Sequence, residues 1–384
     1  MADQIPESRP GDPNPSGSRQ RQQRLLGLAV LGAMALVGVV FFFLGRYATR
    51  QTDALVAVSL PDSAQHVADT TASVSAAVAA SEEAVTLAEM RNVHFRIDDA
   101  IALRIRYLRG IITRTQEGAP IDFGDKNSFR IDIHSAEVGL TAHDLSVLMN
   151  RYVFAYPDAP LKNLEITTVG SQIKQKGTLR KVVGLPFEIV AEVTATADGR
   201  IRLHPTAVKI LSIPGKGVME TLGIQLEELL DLSGAQGVTV EENDLLLDPD
   251  HLLPPPAIRG RVSAVWVEGD EVIQQFGSPG DSLSQAIERL EQPDPTASNY
   301  MFFRRGTLRF GKLFMVQADL QIIDEAPDDP FDFFIDRYVE QLVAGHSETE
   351  PDFGLKAYMP DFEDLQRAAG ATSPARTDSS RQSS

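Results

Sequence analysis

LEITTVGSQIKQKGTLRKVVGLPFEIVAEVTATADGRIRLHPTAVKI, residues Leu164 to Ile210, decides the fold. It divides into strand-like runs at Leu164 to Val169, Ile173 to Lys181, Phe187 to Thr196 and from Arg200 on to Ile213, parted by Gly170, Gly184-Leu185-Pro186 and Asp198-Gly199. In the third run Phe187, Ile189, Ala191, Val193 and Ala195 share one face, while Glu188, Glu192, Thr194 and Thr196 take the other with Val190 among them. A period of two with one apolar and one wet face is the mark of antiparallel strands. Asp198-Gly199 predicts a hairpin with a type I′ turn.

The same rhythm extends upstream. Ile101, Leu103, Ile105 and Tyr107 are expected on one face of a strand with Arg104 and Arg106 on the other, and Phe129, Ile131 and Ile133 repeat the pattern. Thr141 followed by Asp144 predicts a capping box, and Leu145, Leu148, Met149 and Tyr152 sit at helical spacing behind it until Pro157. Downstream, Pro214-Gly215 opens a second expected helix, with Met219, Leu222, Leu226, Leu229 and Leu230 on one side, that stops near Gly234. Val238, Val240, Leu245 and Leu247 mark two short strands, and Val262 to Val267 is expected to pair with Glu271 to Phe276 across Gly269-Asp270. A short helix is expected around Ser284 to Leu290, two strands around Gly311 over Met301 to Ile323, and a helix over Pro330 to Ala344. That last helix would turn Phe331, Phe334, Ile335, Tyr338 and Leu342 inward.

Toward the N-terminus the character changes. Leu25 to Leu44 reads LLGLAVLGAMALVGVVFFFL, uncharged and apolar throughout. Roughly 20 residues at about 1.5 Å each cross a hydrocarbon core of about 30 Å, and the run is too long for a cleaved signal. Arg9, Arg19, Arg21 and Arg24 precede it while Arg46 and Arg50 follow, which predicts a cytoplasmic N-terminus. Residues 1–24 form an expected disordered tail and 25–45 an expected transmembrane helix contacting the bilayer. Residues 46–92, rich in Ala, Val, Ser and Thr, read as a stalk or linker. Val67, Thr71, Val74, Val78, Ser81, Val85 and Ala88 trace a heptad seam, which leaves open weak self-association through the stalk. A β-rich domain is expected over 93–277, a C-terminal β/α extension over 278–365 and a disordered tail over 366–384.

Composition narrows the function. The 384 residues are 43% hydrophobic, enough for a sizeable core, and carry a formal charge of -17, which opposes nucleic-acid binding. No cysteine is present, so thiolate metal sites, disulfides and cysteine nucleophiles are excluded.

Candidate chemistry yields to simpler accounts. Asp132, His134 and Glu137 suggest metal ligands but read first as the solvated face of a strand. Asp244, Asp248, Asp250 and His251 lack the spacing and terminal Glu of a calcium loop. Gly215-Lys216-Gly217 fails the phosphate-loop pattern, because Ile210 stands where the first glycine would be. His143-Asp144 has no assignable serine partner, and Asp324, Glu325, Asp328, Asp329 and Asp332 read as surface charge. No cofactor, no metal and no catalytic residue is expected.

Three segments carry a family resemblance: IDIHSAEVGLTAHDLSVLMN, the strand-forming stretch quoted first, and VTVEENDLLLDPDHLLPPPAIRGRVSAVWV. Over about residues 128–277 the chain resembles the bacterial DUF2993 or LmeA-like family of the tubular lipid-binding (TULIP) superfamily, shared with bactericidal/permeability-increasing protein. The resemblance implies an α+β fold, a curved antiparallel sheet wrapped on helices around an apolar groove for acyl chains. The expected protein is therefore a single-pass bacterial inner-membrane protein whose periplasmic domain binds or shuttles a membrane lipid without catalysis. Leu148, Met149, Tyr152, Leu222 and Leu226 are the groove candidates. Two rivals stand beside it: an anchored structural or adaptor protein engaging another envelope protein through its acidic surface, and a hydrolase assembled from residues distant in sequence.

Overall fold

Strand β1 (Val85–Arg96) organises the chain, in a computed structural model that describes residues 85–180, 184–210, 219–220, 232, 234–349 and 354–371. β2 (Ala102–Arg114), β3 (Ile121–Asp122) and β4 (Phe129–Thr141) follow it and lead into α1 (Ala142–Leu148) and a π-helical turn (Met149–Val153). Next come β5 (Leu161–Val169), β6 (Gln172–Arg180), β7 (Gly184–Ala195), β8 (Ile201–Ile210) and β9 (Met219–Glu220). β10 (Val238–Glu241), β11 (Asp244–Leu247), α2 (Pro249–Leu252), β12 (Ala257–Arg259), β13 (Val262–Glu268), β14 (Glu271–Gly277) and α3 (Ser282–Glu288) continue the chain. β15 (Tyr300–Arg304), β16 (Thr307–Phe310), β17 (Leu313–Val316), β18 (Asp319–Asp324) and β19 (Phe331–Phe334) precede α4 (Tyr338–Ala344). β20 (His346–Thr349), β21 (Leu355–Met359) and α5 (Phe362–Ala371) complete the described elements.

An 11-stranded sheet runs β13-β14-β4-β2-β1-β15-β18-β21-β20, with β12 added to β4 and β19 to β1. A 7-stranded sheet runs β10-β11-β8-β7-β6-β5, with β9 on β8, and a small third sheet runs β17-β16-β3. β1 pairs with β2 along its length and changes partner on its other side. Leu87 to Arg91 face β15 antiparallel, and Val93 to Arg96 face β19 parallel. The switch falls at Asn92, whose φ of 49° bends the strand and whose amide bonds the Asn299 side chain at 3.3 Å.

The four-strand meander of Leu164 to Ile210 forms as expected, and so does the hairpin of β13 with β14. The α+β expectation with a preceding transmembrane helix is corrected. Of the described residues 54% are strand and 15% helix. Among them no helix is long and apolar enough to cross a membrane, and the longest has 10 residues. Residues 1–84, with the run Leu25 to Leu44, lie outside the described residues, as do 372–384. Val85 to Asn92, assigned to the stalk, belong to β1. β15, β18, β20 and β21 continue the sheet of β1, so the expected C-terminal extension completes that sheet. The disordered tail expected from residue 366 begins inside α5.

Each further departure has a local cause. The helix expected over Pro330 to Ala344 is β19 followed by the shorter α4. All four residues of β19 are buried, and a short, wholly buried apolar run satisfies helical and strand spacing alike. The helix expected after Pro214 lies largely outside the described residues, yet Met219–Glu220 is a strand on β8. Met301 to Ile323 holds four strand segments instead of two, because Arg305-Gly306, at φ 71° and 68°, and Gln317, at φ 53°, add two breaks without the usual Asn-Gly signal. In β2 a bulge places Ile105 opposite Val138 and Tyr107 opposite Glu137. The inward positions thereby pass to Leu108 and Ile112, and Tyr107 leaves the buried face. The hairpin of β7 with β8 closes through Thr196 and Arg200, whose backbones bond at 2.9 Å around a three-residue loop with Gly199 at φ +92°. That replaces the expected two-residue type I′ turn.

The C-terminal half of the large sheet is packed with rings. Phe123 lies 5.5 Å from Phe129, 5.2 Å from Phe303, 5.5 Å from Phe310 and 6.2 Å from Tyr338. Edge-to-face and offset packing at these separations fills volume densely. Phe123→Ala is expected to cost about 3–5 kcal/mol in urea denaturation, since the surrounding rings are held by four elements and cannot collapse into the hole.

Candidate functional site

The other half of the molecule encloses an apolar cavity among the described residues. Strand alternation aims one face of the large sheet and one face of the 7-stranded sheet at a shared interior. Leu103 and Ile105 of β2, Ile131 and Ile133 of β4, and Val272 and Phe276 of β14 form one wall. Ile173 of β6, Val193 of β7, and Ile201 and Leu203 of β8 form the other. Leu145, Leu148, Met149 and Phe154 close one side, and Leu252 and Leu253 join the lining. The cavity has an envelope of about 1240 Å³ including its mouth, and the centre of a water-sized sphere has about 90 Å³ to move in. Of its 28 lining residues, all but Gln175 and Gln274 are apolar.

That volume exceeds by several-fold the roughly 10–15 Å³ a single water centre needs, but a retained water also needs two to four polar partners. Two amides on hydrocarbon walls offer few. The space suits a hydrocarbon chain, which gains about 0.8 kcal/mol for each CH₂ removed from water.

Two of the five groove candidates read from the sequence border this cavity. Leu148, 2% exposed, and Met149, 6% exposed, both line the cavity. Tyr152 does not: it is 37% exposed and its hydroxyl donates to Asp98. Partial burial, and then the Asp98 carboxylate, push its phenol up to about 12. The π-helical turn is the cause, since the Phe154 amide bonds the Met149 carbonyl at 2.8 Å and widens the turn. Val153 occupies the buried position that 3.6-residue spacing assigned to Tyr152. Leu222 and Leu226 lie outside the described residues. The strand residues of both walls were missed as site residues. Their signal, the period-two apolar face, was visible but is shared by every filled core.

The capping box forms as expected. The Thr141 side chain accepts from the Asp144 amide at 3.0 Å and Asp144 accepts from the Thr141 amide at 3.1 Å, so Asp144 is committed to the start of α1. The other polar candidates disperse. Asp132 accepts from Thr113 at 3.0 Å, His134 contacts Asp281 at 3.2 Å, and Glu137 pairs with Arg106 at 2.7 Å. Asp248 caps α2 and holds His251 at 2.8 Å, Asp250 accepts from the Gly260 amide at 3.0 Å, and Asp244 meets His204 at 2.6 Å. Gly215-Lys216-Gly217 lies outside the described residues. Among the described residues no group of three or more His, Asp or Glu could hold a metal ion.

The acidic cluster read as surface charge is partly buried and structural. Asp324 accepts from the Ala326 amide at 2.9 Å and from Asn299 at 3.1 Å. Asp332 pairs with Arg96, and Asp361 accepts from the Asp332 amide at 2.6 Å. The fold and the hollow together define a two-sheet β protein enclosing an apolar interior. No family model, no curated protein and no solved structure matches the chain.

Burial, opposed by the Asp332 amide and reinforced by the neighbouring Asp324, Asp329 and Asp332 carboxylates, pushes Asp361 up from 3.8 to about 7. Its folded pKa is raised, so the folded state binds the extra proton: its contribution is full below about pH 4 and is lost as pH rises through about 7. Asp361→Asn fixes the neutral form. Its melting temperature is expected to stay level with wild type at pH 4.5 and to exceed it at pH 8, whereas parallel melting profiles would refute the shift.

Proposed function

We propose that this chain binds the hydrocarbon chain of a membrane lipid between its two sheets and carries it without chemical change. The observation that carries the reading is the lining itself: 26 apolar side chains and two amides around an interior with room for a ligand. Ligand sites of this kind are concave, largely preformed and mostly apolar. Among the described residues the lining contains no acid, base or hydroxyl nucleophile, and this supports carriage over hydrolysis. The contrast with the aromatic half, where rings interlock, supports a functional hollow over a general looseness of packing. The lipid-binding role implied by the resemblance over residues 128–277 points the same way. The uncharged run Leu25 to Leu44, with four arginines ahead of it, supports attachment to a bacterial cytoplasmic membrane with the β domain on the far side, where lipid is at hand.

Photocrosslinking tests this on the full chain. In nanodiscs containing a lipid with a diazirine on its acyl chain, irradiation is expected to label peptides of β2, β6, β8 and β14. Val193→Phe, which adds bulk on the wall, is expected to abolish that label with only a small change in melting temperature. Overpacking a filled core would instead cost about 1–3 kcal/mol. Labels confined to residues 25–44 would refute the carrier reading.

A further inference from the structure

Gln274 is the anomaly of the cavity. It sits on β14 between Val272 and Phe276, on the face that looks inward, and opposes Val138 of β4. It is 8% exposed, and among the described residues its side-chain amide has no hydrogen-bond partner. Gln175 stands on the opposite wall, on β6 between Ile173 and Gly177, likewise facing the interior and without a side-chain partner among the described residues. The two amides do not bond each other. Neither amide is sealed into the wall: both reach the open space of the cavity, where an apolar residue of similar shape would serve a purely structural wall as well. An amide both donates and accepts, so it can meet a carbonyl or a hydroxyl. Among the described residues the lining holds no Lys, Arg or His to offset the charge of a carboxylate or phosphate.

We propose that Gln274, assisted by Gln175, makes the cavity select lipids carrying a neutral hydrogen-bonding group next to the acyl chain, the carbonyl of an acyl ester above all. This rests on the lipid-binding reading and specifies its ligand: esters enter ahead of bare hydrocarbon, which gives the amide nothing, and ahead of the free fatty-acid anion, which would bury an uncompensated charge. Gln274 is a specificity determinant. Its amide donates to the ester carbonyl while the chain lies along the apolar walls.

The test uses the full chain in nanodiscs holding a diazirine-bearing alkane as probe, with hexadecane, methyl palmitate and palmitate as competitors at pH 8. In wild type, methyl palmitate is expected to displace the cavity label at a mole fraction about threefold to tenfold lower than hexadecane, the worth of one neutral hydrogen bond, and below that for palmitate. Gln274→Leu is expected to keep the alkane label and to erase the ester advantage, with only a small change in melting temperature. Gln274→Met serves as a second variant. If Gln274→Leu retains the ester preference, or if palmitate competes as well as the ester in wild type, the inference is overturned and lipid binding stands. If the alkane probe never labels the wild-type cavity, lipid binding has failed and this inference with it.

Discussion

The ladder that β1 forms with β2 on one side, and with β15 and then β19 on the other, holds the two halves of the protein together. Because the strand changes partner at Asn92, one stretch serves two interiors. Met90 faces the hollow, and Phe95 both lines the hollow and stacks on Phe333 at 5.7 Å. Arg96, at the end of the strand, pairs with Asp332 and Glu363 and so ties β19 and α5 to the same ladder. The outer face of the sheet is closed by α3, where Ser284 meets Ser135 at 2.5 Å and Glu288 meets Arg109 at 3.0 Å. Beneath it Glu89 accepts from Tyr300 at 3.0 Å, and burial raises its pKa against the pull of Arg109.

Two ways of filling a sheet sandwich meet in this chain. Flat rings meet edge to face at Phe123 with Phe303 and Phe310, and Phe331 tilts against Phe333 beside them. Branched aliphatics at Ile105, Ile133, Ile173 and Val193 reach less far from their backbones, and where two such walls face each other the middle stays open. The ring-packed side makes the denser set of contacts, each small by itself and large in sum.

Much of the fold was legible and much of the site was not, for one reason. Alternation in Phe187 to Ala195 and the Thr141 and Asp144 capping box depend on neighbours in sequence, and both appear as read. The bulge at Arg106, the parallel docking of β19 and the π-helical turn depend on distant partners, and each moved a residue to another face: Tyr107, Phe334 and Tyr152. Leu148 and Met149 were found because a helix end lies at the side of the hollow. Ile173 and Val193 passed for core because alternation says which way a side chain points and not how far it must reach to touch another. Gln274 was visible as a polar residue in an apolar register and was not singled out, because β14 was treated as a hairpin arm and not as a wall.

The order of pairing also sets a timetable. Leu87 lies against Arg304 and Val93 against Phe331, so the strand emerging early from the ribosome cannot complete its hydrogen bonds until the last quarter of the chain exists. At translation rates of about 5–20 residues per second that delay is roughly 10–50 seconds. Throughout it Met90, Val93 and Phe95 belong to a sticky, unsealed edge, the kind of nascent segment that chaperones shield.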